Sequence, residues 1–208
     1  DDLLALEEAL NGKQAADAVA SALEASGDAD PNALKARIAA LEAKAAGIKH
    51  VLMVVTSNDK LGDTGKQCGW YLPEVAHPYD EFVAAGYRMT FASPKGGVAP
   101  VDEGSVAASA NDASSMAFYN NPKKMSLVNN TICLKNIPDT SVYDAVFFAG
   151  GFGTMWDFPD NEDIQRITKE MWEAGKIVGG VCHGPCALVN VVLSDGTNLV
   201  AGKEVAAF

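Results

Sequence analysis

At 208 residues, with 48% hydrophobic side chains and a formal net charge of −11, the chain can bury one α/β core that needs neither disulfides nor a structural metal. Its Asp and Glu residues are spread along the chain rather than blocked, so the field they set up repels nucleic acid and anionic membranes, and neither is an expected partner. The four cysteines (Cys68, Cys133, Cys182, Cys186) show no metal-knuckle spacing and no dense disulfide pattern, and no segment is long and apolar enough to span a bilayer. Together with the lack of a signal peptide this predicts a reducing, cytoplasmic setting, although a start at Asp1 rather than methionine leaves an organelle open.

Residues 1–47 differ in kind from the rest. Alanine fills 16 of the first 46 positions, aromatics are absent, and Leu34, Ile38, Leu41, Ala45 and Ile48 fall at helix-face spacing. Asp30-Pro31 reads as a helix start, and Gly27 and Gly47 as helix ends. This predicts a helical extension with a thin apolar stripe, either a docking or dimerisation arm or a cover for its own domain.

From residue 48 to residue 208 the grammar is that of strands alternating with helices, which predicts a mostly parallel sheet covered on both faces. His50–Ser57 is a continuous apolar run suited to a central strand, with His50 at its edge, and 58–69 is a glycine-punctuated loop. A helix is expected over Pro73–Ala85, a strand over Tyr87–Ser93, a loop over 94–100, and a helix near Ala108–Asn120 followed by a short hairpin. Tyr143–Ala149 is a third buried strand, running into Gly150-Gly151-Phe152-Gly153, and Asn161–Ala174 is an amphipathic helix with Ile164, Ile167 and Met171 on one face. Leu199–Val205 reads as a further strand or hairpin. A doubly wound sheet normally continues beyond such a strand, so the domain is expected to lack its C-terminal segment.

The most informative stretch is Lys176–Val189, a β-branched run that turns through Gly180-Val181-Cys182-His183-Gly184 into Pro185 and an apolar segment suited to a helix. Gly-x-Cys-x-Gly between strand and helix has the layout of a nucleophile elbow, in which flanking glycines remove the clash a strained turn would create. A cysteine at the first turn of a helix is expected to favour thiolate. The other reading, a buried packing cysteine, suits Cys186 better than Cys182, which has paired glycines and His183 beside it. The ends of the strands at Ser57, Ser93, Ala149 and Val181 should converge. Backbone N–H groups of the Gly150-Gly151 turn and of His183 would then make an oxyanion hole, unless Gly150-Gly151 is only a tight turn. Gly150–Gly153 lacks the spacing of a phosphate cradle. Glu74, on the helix after the first loop, is a candidate acid near the thiol in a role that needs no metal, although from the residues alone it reads equally as one of many solvated helix acids.

Several separated motifs together resemble the PfpI superfamily, and within it the heat-shock chaperone and glyoxalase III branch. They are Thr64-Gly65, Trp70–Tyr79, Gly86-Tyr87, Ala92–Gly97, Gly150-Gly151-x-Gly153-Thr154-Met155-Trp156-Asp157 and Val181–Pro185. The resemblance covers about residues 48–208. It implies a flavodoxin-like three-layer sandwich, commonly dimeric, with Cys182 as nucleophile, Glu74 as the catalytic glutamate, His183 beside the cysteine and oxyanion donors on Gly151 and His183. It further implies conversion of the aldehyde methylglyoxal to lactate without glutathione, without a cofactor; protein repair, chaperone activity and an oxidisable thiolate also occur among the relatives. In two respects the sequence departs from the pattern. The acid that orients the histidine in this branch would fall just past Phe208, and Phe82 stands where some relatives carry a zinc-binding histidine, so no metal is expected. These departures keep a second expectation in play, a catalytically idle structural or chaperone subunit docked into a larger assembly by residues 1–47. Amidase or peptidase chemistry, which needs a well-oriented histidine, is a weaker third.

Overall fold

The computed structural model describes residues 30–208, so the expected helices before Asp30 lie outside the described residues. Helix α1 (Pro31–Ala45) starts where Asp30 accepts from the backbone N–H of Asn32 at 2.9 Å, with Pro31 in the first turn. Its buried Ala40 and Leu41 join the core beneath the sheet, and Arg37 reaches Asp139 at 3.4 Å.

Five parallel strands follow: β1 (His50–Val54), β2 (Arg88–Ser93), β3 (Ile132–Cys133), β4 (Ala145–Phe148) and β5 (Ile177–Gly180), in the order β3-β2-β1-β4-β5. Alternation along β1 divides the interior. Leu52 and Val54 face a core closed by α1 and by α6 (Glu162–Glu173), which contributes Ile164, Ile167 and Met171. Met53 and Val55 face the opposite core, closed by α2 (Leu72–Ala84) and by three short helices, α3 (Glu103–Ala108), α4 (Ala113–Tyr119) and α5 (Pro122–Asn129), where Val75, Ala76, Phe91 and Phe118 meet. The result is the three-layer α/β arrangement expected from the alternation of elements. Between β1 and β4 the order of connection reverses, which opens a crevice at their carboxyl ends.

Three expectations are corrected. The single helix at 108–120 is broken, because Asp112 accepts from the N–H of Ser115 and starts a new helix, and Asn121 followed by Pro122 starts another. No hairpin follows; Ile132-Cys133 instead adds to β2 in parallel. The hairpin expected over 199–205 forms earlier, where Leu193 donates to Thr197 and Leu199 to Val191, and the residues beyond Asn198 close in turns. β5 is an edge strand, with Ile177 70% exposed, although its composition suits a covered one.

His50 is the first residue of β1, as expected, and it is also fully buried. Its Nε2 lies 2.9 Å from Thr90 Oγ1, its ring packs edge-on against Tyr143, and among the described residues Nδ1 has no hydrogen-bond partner. Burial, assisted by the charge of Arg88, pushes the imidazole down to about 4. The folded state therefore holds His50 neutral while the unfolded chain protonates it near its ordinary 6.5, so this contribution is present above pH 6.5 and is lost between 6.5 and 4. Over that window the protein should lose about 3 kcal/mol relative to a His50→Leu variant, as read by urea unfolding at a series of pH values.

Candidate active site

The elbow is built by strand pairing. Gly180 sits opposite Phe148 at the end of the β4–β5 ladder, and Val181 donates to the Phe148 carbonyl at 3.1 Å. The chain then reverses at Cys182, whose φ of +56° is the only positive value at a non-glycine residue among the described residues. A side chain in this region costs on the order of 1–3 kcal/mol. Gly184 closes the turn by donating to Val181 at 2.8 Å, and a Cβ on Gly184 would strike the Phe148 carbonyl. Because Cβ is what makes the conformation unfavourable, Cys182→Gly should be more stable than Cys182→Ala. The difference should be about 1 kcal/mol in urea unfolding, once the greater unfolded-chain freedom of glycine is set against the relief of strain.

Glu74 enters from the first turn of α2. Its Oε2 accepts from the Gly150 N–H at 2.8 Å, and its carboxyl hydrogen-bonds the Cys182 thiol. The space is so narrow that a Cβ on Gly150 would come within 2.5 Å of that oxygen and 2.8 Å of the His183 nitrogen. Gly151, at φ +101°, aims its own N–H at the Cys182 sulfur, as does the backbone of His183. His183 Nδ1 lies 3.1 Å from the same sulfur. The five residues singled out from the sequence (Glu74, Gly150, Gly151, Cys182 and His183) therefore meet at one point, with one redistribution. The Gly150 N–H is taken by Glu74, and the pair of N–H groups facing the sulfur comes from Gly151 and His183.

The electrostatics reverse one expectation. The segment after Cys182 is a 3-10 turn over Gly184–Leu188 rather than an α-helix, so it offers little dipole to the sulfur. Burial, and then the Glu74 carboxylate, push the Cys182 thiol up, against the opposing pull of the two backbone N–H groups. Burial likewise pushes Glu74 up, with its hydrogen bonds to Cys182 and Gly150 working against the shift. Burial is the leading cause of both shifts, and making the thiolate means moving its proton onto Glu74 or His183. Burial alone pushes His183 down, so its imidazole is held neutral with one ring nitrogen free to accept, although as a weaker base than an exposed histidine.

Four features of the site escaped the sequence reading. The rings of Phe152 and Phe208 lie 4.8 and 5.3 Å from that of His183, and the Phe208 N–H donates to the Cys182 carbonyl at 3.0 Å. Half-buried Asp157 accepts from Thr56 Oγ1 at 2.8 Å and from the Ser57 N–H at 2.7 Å, which ties the end of β1 to the glycine turn after β4. Cys186, as expected, packs against the core. Among the described residues no carboxylate pairs with His183, and no cluster of three or more His, Cys, Asp or Glu is placed to hold a metal ion.

A strained cysteine at a Gly-x-Cys-x-Gly elbow, an acid on its sulfur and a glycine turn opposite constitute a specific arrangement, and the profile of the DJ-1/PfpI family matches residues 70–206. The chain belongs to the DJ-1/PfpI family. Among curated relatives it is 29% identical to glyoxalase 3 of Candida albicans, over 77% of this chain and 69% of that protein. It is 30% identical to the glutathione-independent glyoxalase HSP31 of Saccharomyces cerevisiae, over 77% of this chain and 68% of the relative. Among solved structures, the Rapid Encystment Protein 24 kDa of Francisella tularensis superposes with a TM-score of 0.73 at 35% identity, covering 77% of this chain and 70% of that one. The crystal structure of Candida albicans glyoxalase III superposes with a TM-score of 0.69 at 29% identity, covering 77% and 68%.

Proposed function

We propose that this DJ-1/PfpI protein is a glutathione-independent glyoxalase that converts methylglyoxal, or a related 2-oxoaldehyde, to the corresponding 2-hydroxy acid. The observation that carries the reading is the contact of Cys182 with both Glu74 and His183 beneath two convergent N–H groups. The named activities of its Candida and Saccharomyces relatives support it.

In this scheme the thiol proton passes to Glu74 or His183 and the sulfur adds to the aldehyde carbon, forming a hemithioacetal. The oxygen that gains charge sits against the N–H groups of Gly151 and His183. The same acid–base pair then removes the hydrogen on C1 and returns a proton to C2, so the former ketone becomes a hydroxyl and C1 a thioester. Water releases the hydroxy acid and restores the thiol. The net change is addition of water with an internal redox shift between C1 and C2, so the balance needs no external oxidant or reductant. Glutathione is dispensable because Cys182 supplies the thiol.

The test is to incubate the purified protein with methylglyoxal in the absence of glutathione and to measure lactate, beside a Cys182→Ala control. Lactate from the parent and none above background from the control is the expected result. A folded parent that forms neither lactate from methylglyoxal nor the hydroxy acid from 4-methyl-2-oxopentanal would remove the glyoxalase reading. The second reading, an idle structural or chaperone subunit, would then lead, favoured by the lack of a carboxylate on His183 among the described residues.

A further inference from the structure

Beside His183 the surface around the nucleophile carries large apolar side chains. Phe152 follows directly on Gly151, its ring lies against the His183 imidazole at 4.8 Å, and it remains 46% exposed. Phe208 lies against the same imidazole at 5.3 Å and is largely exposed. Met155, one turn after Phe152, adds a further exposed apolar side chain. Large apolar side chains held in solvent beside a reactive group are informative in a way that scattered ones are not. Glu74 is the charged group whose field most affects Cys182, and burial rather than a charge accounts for the shift of His183. The Glu74 carboxylate at the sulfur would repel an anionic substituent on a bound aldehyde.

We infer that Phe152, assisted by Phe208, is the specificity-determining wall of the site, selecting 2-oxoaldehydes with an apolar substituent over those whose substituent is hydroxylated or anionic. The inference rests on the glyoxalase reading and narrows its substrate class. Placing a branched alkyl tail on an aromatic face removes apolar area from water, whereas a hydroxyl there gives up hydrogen bonds to water and finds no replacement. Discrimination of this kind in an apolar pocket is worth about tenfold to two-hundredfold.

The experiment compares 4-methyl-2-oxopentanal with 3-hydroxy-2-oxopropanal as substrates of the full chain, in the parent and in Phe152→Ala, Phe152→Leu and Phe208→Ala. The ratio of the two kcat/KM values is the readout. We expect the parent to favour the alkyl aldehyde at least tenfold, Phe152→Ala to lose most of that preference, Phe152→Leu to keep it because the wall stays apolar, and Phe208→Ala to fall between. A ratio near one in the parent, or a ratio unmoved by Phe152→Ala while turnover persists, overturns the inference and leaves the glyoxalase reading standing. A second measurement needs no turnover: the concentration of each aldehyde that protects Cys182 from iodoacetamide. Protection by the alkyl aldehyde at a concentration at least tenfold lower, in a parent that turns over neither, would support the apolar wall while removing the glyoxalase activity. Equal protection would overturn the wall.

Discussion

Glu74→Gln is expected to leave Cys182 at least as easy to alkylate as in the parent while lowering turnover of methylglyoxal by about a hundredfold to ten-thousandfold. The two effects have different origins. In the parent the Glu74 carboxylate contacts the thiol and, together with burial, pushes it up, so removing the negative charge lets the thiol ionise more readily. The amide keeps nearly the same shape and preserves an acceptor for the Gly150 N–H, so the glycine turn stays in place. What the amide lacks is the ability to take a proton from one atom and return it to another. In the proposed scheme conversion of the hemithioacetal to a hydroxy acid depends on that step, whereas addition of the thiol does not, because His183 can take the thiol proton. Iodoacetamide kinetics and lactate formation, measured on the same preparation, separate them. Equal falls in alkylation and turnover would mean that Glu74 acts mainly by positioning the sulfur, and full turnover in the variant would exclude it as the proton carrier.

The second large effect concerns the fold. Gly184→Ala should destabilise the protein by at least about 3 kcal/mol and abolish activity with it. The new Cβ would run into the Phe148 carbonyl, and that oxygen cannot move away because it accepts the Val181 N–H at the end of the β4–β5 ladder. Making room means drawing β5 off β4, and the reversal at Cys182 goes with it. Gly179→Ala, one residue inside the same strand, is the appropriate control, since its Cβ would meet nothing closer than 3.7 Å. Its cost should stay below about 1 kcal/mol. Urea unfolding of both variants decides the matter, and similar losses for the two would show that strand pairing, rather than the Phe148 contact, governs the elbow.

The parts of this protein that can be read without a structure are those governed by neighbours in sequence. An unbroken apolar run at 51–55 has one stable use, a strand covered on both faces, and Leu52 and Met53 do point into opposite cores. Asp30-Pro31 starts a helix because a carboxylate and a missing N–H both suit its first turn. Where local signals compete, the reading fails. Residues 103–129 are three helices rather than one because Asp112 and Asn121 turn their side chains onto the backbone, a choice that composition over a window averages away. His50 was legible as a strand residue but not as a buried one, because its burial depends on Thr90 from β2 and Tyr143 from the segment before β4.

The candidate site divides in the same way. The sequence alone determines where the elbow lies, since the pattern Gly180-x-Cys182-x-Gly184 between a strand and an apolar segment marks the turn, and it determines that Gly150 and Gly151 stand at a strand end; what Gly184 must avoid, the Phe148 carbonyl, comes from another strand. The tertiary structure decides what stands around the sulfur. Glu74 reaches Cys182 because the order β3-β2-β1-β4-β5 sets the ends of β4 and β5 beside the start of α2, and the same packing assigns the Gly150 N–H to Glu74 and leaves that of Gly151 for the sulfur. It also reverses the expected charge on the thiol and lays Phe152 and Phe208 against His183. The physical reason is range. Backbone strain and capping act over a few residues and are written locally, whereas burial and the charge of a distant carboxylate exist only once the sheet has brought remote segments into contact.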